Sequence, residues 1–285
     1  MISIIICSRK ADIPQELKDN ITATIGCDYE LCVIDNSHNE YSIFSAYNDG
    51  VSRSNGDILC FMHEDVVLHT DKWGDILSKH FVQNPLSGAV GVAGGHYLPQ
   101  RPCYWNEPRK ESAHYIQGNI HNGVYKSHLI KHQHYRSART LVAALDGVFI
   151  AMPRSLFSDH HVLWDEDTFH GFHFYDADMC MQVHKAGYEV EVIWDILLEH
   201  KSNGSFSEAF IRARQTWFNK WKDSLPLVCG IEMDQEDIEV CENIMDITDD
   251  SHAYYMLQQS KACRLGRFLL HPNRANFKKL FCKKK

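Results

Sequence analysis

Apolar positions along the chain gather into short runs separated by stretches of helical period. Ile2-Ser3-Ile4-Ile5-Ile6-Cys7 and Tyr29 to Ile34 are close to continuously apolar, the pattern of strands covered on both faces. Between them Pro14 to Ile25 has helical spacing, with Pro14 suited to a first helical turn. A helix from Ile43 to Ser52, a strand from Ile58 to Met62 entered through Gly56-Asp57, a helix from Lys72 to Asn84 and a strand from Ala89 to Ala93 continue the alternation. This predicts an α/β fold with a mostly parallel central sheet flanked by helices, its strand ends on one rim. From Gly94 to about Thr140 the periodicity dissolves into Gly, Pro, His, Tyr and Arg, which predicts a long functional or disordered loop. A strand is then expected over Leu141 to Met152, around Asp146-Gly147, followed by a helix from Tyr175 to Ala186 and a strand from Tyr188 to Ile193. Ser205-Phe206-Ser207-Glu208 reads as a capping box that opens an amphipathic helix to Trp221, with Phe206, Phe210, Ile211 and Trp217 on its apolar side.

A chain of 285 residues can bury a substantial core, and the pattern divides it into a main α/β domain, 1–225, and a C-terminal extension, 226–285. In the extension the acidic stretch Glu232 to Asp250 precedes a predicted helix over Ala253 to Leu265. The closing segment Asn276 to Lys285 is basic with interleaved apolar residues, as in a solvated tail or a weak peripheral contact with an anionic membrane. No apolar run approaches the roughly 20 residues that span a bilayer, and Met1-Ile2-Ser3-Ile4 lacks the start of a signal peptide. A cytoplasmic location is expected. The ten cysteines are scattered singly, several inside strand-like runs, and read as reduced core residues. A net charge of -8 argues against general nucleic-acid binding.

Chemistry concentrates where the run Ile58 to Met62 ends in His63-Glu64-Asp65. Ligands of open α/β sheets bind beyond the carboxyl ends of the strands, so Glu64 and Asp65 stand where a divalent cation and a phosphate can meet. Acids at strand ends also serve as turn formers and caps. Asp176 falls in the first turn of its helix, where the helix dipole favours an acid whatever its function. Asp178 lies about 200° further round the helix, so one of the two is expected to face a substrate. Neither Gly-x-Gly-x-x-Gly, nor Gly-x-Ser-x-Gly, nor a phosphate loop is present, and His132-Gln133-His134 and His160-His161 lack companions at metal spacing.

Asn48-x-Gly50, Ser54-x-Gly56, the strand and His63-Glu64-Asp65 together resemble the nucleotide-sugar core of glycosyltransferase family 2, of GT-A fold. Ile2 to Arg9 and Leu31 to Ser37 are similar to its first two strands. Trp164-Asp165-Glu166, Gly171 to Asp178 and Lys185-Ala186-Gly187-Tyr188 are similar to its later acidic helix, so the likeness runs over about residues 1–205. It implies donor contacts at Cys7, Ser8, Arg9, Asp35, Asn48, His63 and Glu64, a metal held by Asp65 and His200, and a general base at Asp176. The implied cofactor is Mn2+ or Mg2+, with imidazole tilting the choice to Mn2+. The implied activity is inverting transfer from a nucleotide-sugar donor, UDP-sugar first, to a glycan or lipid-linked acceptor, as in surface polysaccharide synthesis. Two positions depart from the family pattern: His63 replaces the first acid of Asp-x-Asp, and Tyr175 the Glu of Glu-Asp. These departures favour the alternative of a catalytically silent nucleotide-sugar or glycan-binding module. A nucleotidyltransferase is the third reading.

Overall fold

The computed structural model describes residues 1–105, 111–121, 124–133, 139–202 and 207–241. The chain divides into two compact units, Met1–Glu232 and Met233–Lys285. In the second, residues 235–241 are helical; the helix expected over Ala253 to Leu265 and the basic tail lie outside the described residues. All labelled elements belong to the first unit.

In chain order these are β1 (Ile2–Ser8), α1 (Gln15–Thr24), β2 (Tyr29–Asp35), α2 (Ile43–Arg53), β3 (Ile58–Met62), β4 (Val66–Leu68) and α3 (Trp73–Gln83). Then come β5 (Ser87–Gly91), β6 (Ala93–Gly95), β7 (Tyr97–Leu98), β8 (Glu111–His121), β9 (Val124–Gln133), β10 (Thr140–Leu141), β11 (Ala144–Leu145) and β12 (Phe149–Pro153). The unit continues with α4 (Ser155–Ser158), α5 (Tyr175–Lys185), β13 (Glu189–Val192), β14 (Leu198–His200), α6 (Glu208–Trp221) and β15 (Leu227–Val228). β15 pairs with β7, which ties the chain after Pro226 to the first unit.

The central sheet has the order β10-β13-β5-β12-β3-β1-β2. β1, β2, β3, β5 and β13 run one way, and β12 and β10 the other. The expected α/β architecture is present. β1 explains its own apolar run: Ile2, Ile4 and Ile6 share a core cluster with Ile13, Leu17 and Ile21 beside α1 and with Trp73 and Leu77 of α3. Ile5 faces α2, where Gly50 lies so close that a Cβ would overlap its Cγ2. Each such aliphatic side chain contributes about 1.5–3 kcal/mol on full burial. α2 starts at a capping box in which Ser42 accepts from the Ser45 N–H and the Ser45 hydroxyl from the Ser42 N–H. Among the described residues no helix is long and apolar enough to cross a membrane.

A second sheet, β11-β6-β8-β14-β4 with β9 paired to β8, was not anticipated and corrects several expectations. The segment 94–140 is largely strands, not a loop: β8 and β9 form a long antiparallel hairpin from Ser112↔Gln133 to His121↔Val124. Its apolar side chains Ile120, Val124, Tyr125 and Leu129 are exposed while Ala113 is buried and Tyr115 packs against the core, so burial changes along the hairpin and imposes no sustained alternation on the sequence. The run around Ala89 to Ala93 splits between β5 and β6, which belong to different sheets. Leu141 to Met152 is likewise broken into β10, β11 and β12, leaving Asp146-Gly147 in a bend. α6 begins at Glu208 with Ser207 as its cap, accepting from the Phe210 N–H at 3.2 Å; Ser205 and Phe206 lie outside the described residues. Phe210 and Trp217 are buried on α6, while Ile211 is exposed.

Candidate functional site

A cavity of about 750 Å³ opens at the carboxyl ends of β1 and β3. Register brings its parts together. Met62 ends β3 opposite Phe149 of β12, and the His63 N–H donates to Val148 O at 3.1 Å, which sets Asp146-Gly147 beside the acidic turn. On the other side β14 pairs antiparallel with β4, placing His200 opposite Val66, and the Lys201 N–H donates to Asp65 O at 2.9 Å.

His63, Asp65 and His200 form a cluster whose ligand atoms all lie within 4.8 Å of one another. His63 Nδ1 is 3.3 Å from His200 Nε2 and 3.9 Å from Asp65 Oδ1. His200 Nε2 is 3.5 Å from the same Asp65 oxygen. His63, expected among the donor contacts, thus stands with the metal-site candidates. Burial works against ionising Asp65, but hydrogen bonds from His200 and Ser202 outweigh it and hold the carboxyl below the usual carboxylate range. Burial and then the His200 charge lower the pKa of His63. His200 is raised, because its contact with Asp65 and the charges of Asp146 and Asp65 overcome burial. Two imidazole nitrogens and one carboxylate oxygen converging on one point, each able to offer a lone pair, make a chemically sound set for one divalent transition ion, and one better suited to Mn2+ than to Mg2+.

Glu64 turns toward β1, accepting from Ser8 Oγ at 2.7 Å, from Arg9 Nε at 2.7 Å and from the Arg9 N–H at 3.3 Å. The acid therefore shapes the Cys7-Ser8-Arg9 turn as well as lining the cavity. Its ion pair is partly solvated, the Arg9 side chain being 81% exposed, so it contributes within about 1 kcal/mol. Cys7 lines the cavity, its thiol pushed up to about 11 by burial. Ser8 is buried behind the turn and does not line it.

Asp176 is 6% exposed in the first turn of α5. Its Oδ2 accepts the Gly147 N–H at 3.0 Å and its Oδ1 the Ala177 N–H at 2.8 Å. Burial, then the charge of Asp146, raises its pKa to about 7 against these hydrogen bonds. Asp178 points the other way, into a lock with α6: it accepts from Lys220 Nζ at 2.6 Å, Trp221 Nε1 at 2.7 Å and Gln182 Nε2 at 2.8 Å. Only Asp176 of the two lines the cavity.

Two further expected donor residues stand outside the lining. Asn48 clasps the chain at 164–166, donating to Trp164 O and Glu166 Oε1 and accepting the Trp164 N–H, so its place in Asn-x-Gly is explained by packing. Asp35 is exposed at the end of β2, accepts the Ser37 N–H at 2.9 Å and lies outside the cavity lining, although its neighbour Asn36 is within it. Conversely, Asp146, Gly147, Tyr47, Tyr104, Trp105, Tyr115 and Gln117 line the cavity without having been singled out. An acid followed by glycine inside an apolar run was the available signal for Asp146-Gly147. The four from the segment after β7 carried none: Tyr104 and Trp105 lie outside any strand, and Tyr115 and Gln117 stand in β8, whose apolar residues show no sustained alternation.

A family model described as a glycosyltransferase-like family matches residues 3–220. No curated protein sequence matches the chain. Among solved structures, GalNAc-T7 with UDP, GalNAc and Mn2+ is similar at 10% identity and a TM-score of 0.49, over 86% of this chain and 54% of that one. S. aureus TarS 1-349 with UDP-GlcNAc is similar at 11% identity and 0.49, over 98% and 78%. A197 from STIV is similar at 11% identity and 0.39, over 71% and 86%. At such identities and superpositions no ligand or residue role carries across.

Proposed function

This chain belongs to the glycosyltransferase-like family and has its GT-A fold, and from that premise we propose that it moves a sugar from a nucleoside diphosphate donor, UDP-sugar first, to a hydroxyl of a glycan or lipid-linked acceptor, with inversion. The observation that carries this reading is that Asp176 and the cluster His63, Asp65 and His200 open on one cavity. A divalent cation bound by the cluster supplies charge neutralisation for the departing diphosphate. The exposed guanidinium of Arg9, at the end of β1, offers a second positive group at the same rim. Asp176, fixed by the Gly147 N–H, takes the acceptor's proton as that oxygen attacks the anomeric carbon. A pKa of about 7 makes the carboxylate a stronger base than an exposed one and leaves enough of it ionised to act. The single displacement inverts the anomeric centre. Tyr104, Trp105 and Phe174 in the lining keep bulk water from competing with the acceptor.

Asp176→Asn tests the reading. It retains the acceptor lone pair facing Gly147 and cannot take a proton, so kcat is expected to fall 10²- to 10⁴-fold with donor affinity unchanged. Transfer within about threefold of the parent rate would remove Asp176 from the mechanism. Calorimetric titration with UDP and Mn2+ supplies the affinity arm.

A further inference from the structure

The two positions at which this chain departs from the pattern of its family touch one another. Tyr175 Oη lies 2.7 Å from His63 Nε2, while the opposite ring nitrogen, Nδ1, faces His200 and Asp65. We infer that Tyr175 is a positioning residue for the ion site: its hydroxyl accepts the Nε2–H of His63 and thereby commits the Nδ1 lone pair to an ion shared with Asp65 and His200. The inference rests on the metal-site reading given under the proposed function and adds a residue to it.

A neutral imidazole carries one proton, and its placement decides whether His63 can be a ligand. With the proton on Nδ1, the ring would donate it toward His200 Nε2 or Asp65 Oδ1, both within 4 Å, and the lone pair would be turned out of the cluster. A fixed acceptor at Nε2 removes that tautomer. Tyr175 sets an oxygen at that place: a phenol hydroxyl can accept from a ring nitrogen or donate to it, and with an ion on Nδ1 the ring proton stands on Nε2 and the hydroxyl accepts it. Tyr175 is 7% exposed and held by Phe44, Tyr47 and Trp164 at centroid distances of 6.4, 5.8 and 6.0 Å. Its hydroxyl occupies the space over Gly147 where a Cβ would stand, so only glycine leaves room for it there. An acid at position 175 could also hold the ring, yet it would add a second negative charge to that of Asp146 beside Asp176; the phenol orients His63 without adding one.

The test is a double-mutant cycle on Mn2+ affinity in the absence of donor, read from the free-ion EPR signal. Tyr175→Phe is expected to weaken Mn2+ binding about 10- to 100-fold, the usual effect of removing a ligand's outer partner. In a His63→Asp background, which has no imidazole to orient, the same change is expected to alter affinity by less than about twofold, the non-additivity of two groups acting as one. Equal losses in both backgrounds would mark the hydroxyl as ordinary packing and overturn the inference, as would a Tyr175→Phe protein within about twofold of the parent. If that variant fails to fold, nitrogen-15 shifts of His63 in the unsubstituted protein decide: the Nε2–H tautomer supports the inference and the Nδ1–H tautomer overturns it. A parent protein that binds UDP but no Mn2+ also overturns it, leaving the transfer reading to Asp176→Asn.

Discussion

A carboxyl group with a pKa of about 7 inside the protein holds a proton that the unfolded chain has already released at pH 5. Between the ordinary value near 3.8 and about 7, the native state of Asp176 binds more protons than the unfolded state, so stability falls as pH rises across that window and is flat outside it. At about 1.4 kcal/mol per unit the loss approaches roughly 4 kcal/mol by pH 8. Asp176→Asn should therefore be the more stable protein at pH 8, by roughly 2–4 kcal/mol, with the difference gone by pH 4. Urea unfolding at several pH values measures this. Transfer by the parent enzyme should rise with pH and level off above about 7, where the base is ionised. The same residue would then lose rate and gain stability on substitution, as strained active sites do.

Helix α5 divides its acids by face. Asp176 looks into the cavity, and Asp178, 1% exposed, is neutralised by Lys220 from α6, which also pairs with Asp165 at 2.6 Å. Lys220→Met would leave the buried Asp178 carboxylate with neutral partners only, and is expected to destabilise the fold by about 3 kcal/mol, measurable by thermal or urea unfolding. A change below 0.5 kcal/mol would mean that Asp178 is protonated in the folded protein. Elements such as β1, β3 and α5 were legible in the sequence because a single environment surrounds each: both faces of β1 are dry, and α5 alternates core with site. The hairpin of β8 and β9 was not, since Ile116 pairs with Leu129 and Ile120 with Tyr125 across a ribbon that is largely wet. The positions of Asp65 just after β3 and of Asp176 in the first turn of α5 were legible from strand and helix ends, while the roles given to them and to Cys7 rest on the family resemblance. The roles of Asn48 and His63 were not legible, because each depends on a partner more than 100 residues away, Trp164 in one case and Tyr175 in the other.

At the scale of the molecule, the division at Glu232 separates a unit that contains the three described sheets and the residues lining the cavity from the remainder. Residues 1–232 are expected to unfold cooperatively and to bind UDP with Mn2+ as the full chain does, within about threefold in Kd; calorimetry on the two proteins compares them. A loss of binding would assign the extension a part in the site. Within the first unit, the cluster of His63, Asp65 and His200 straddles the two larger sheets: His63 and Asp65 follow β3 of the central one, and His200 ends β14 of the other. β14 is held between β4 and β8 by a short ladder, and it reaches that slot only after most of the chain has been synthesised. A nascent polypeptide therefore carries His63 and Asp65 long before His200, the third member of the cluster, has been added to it.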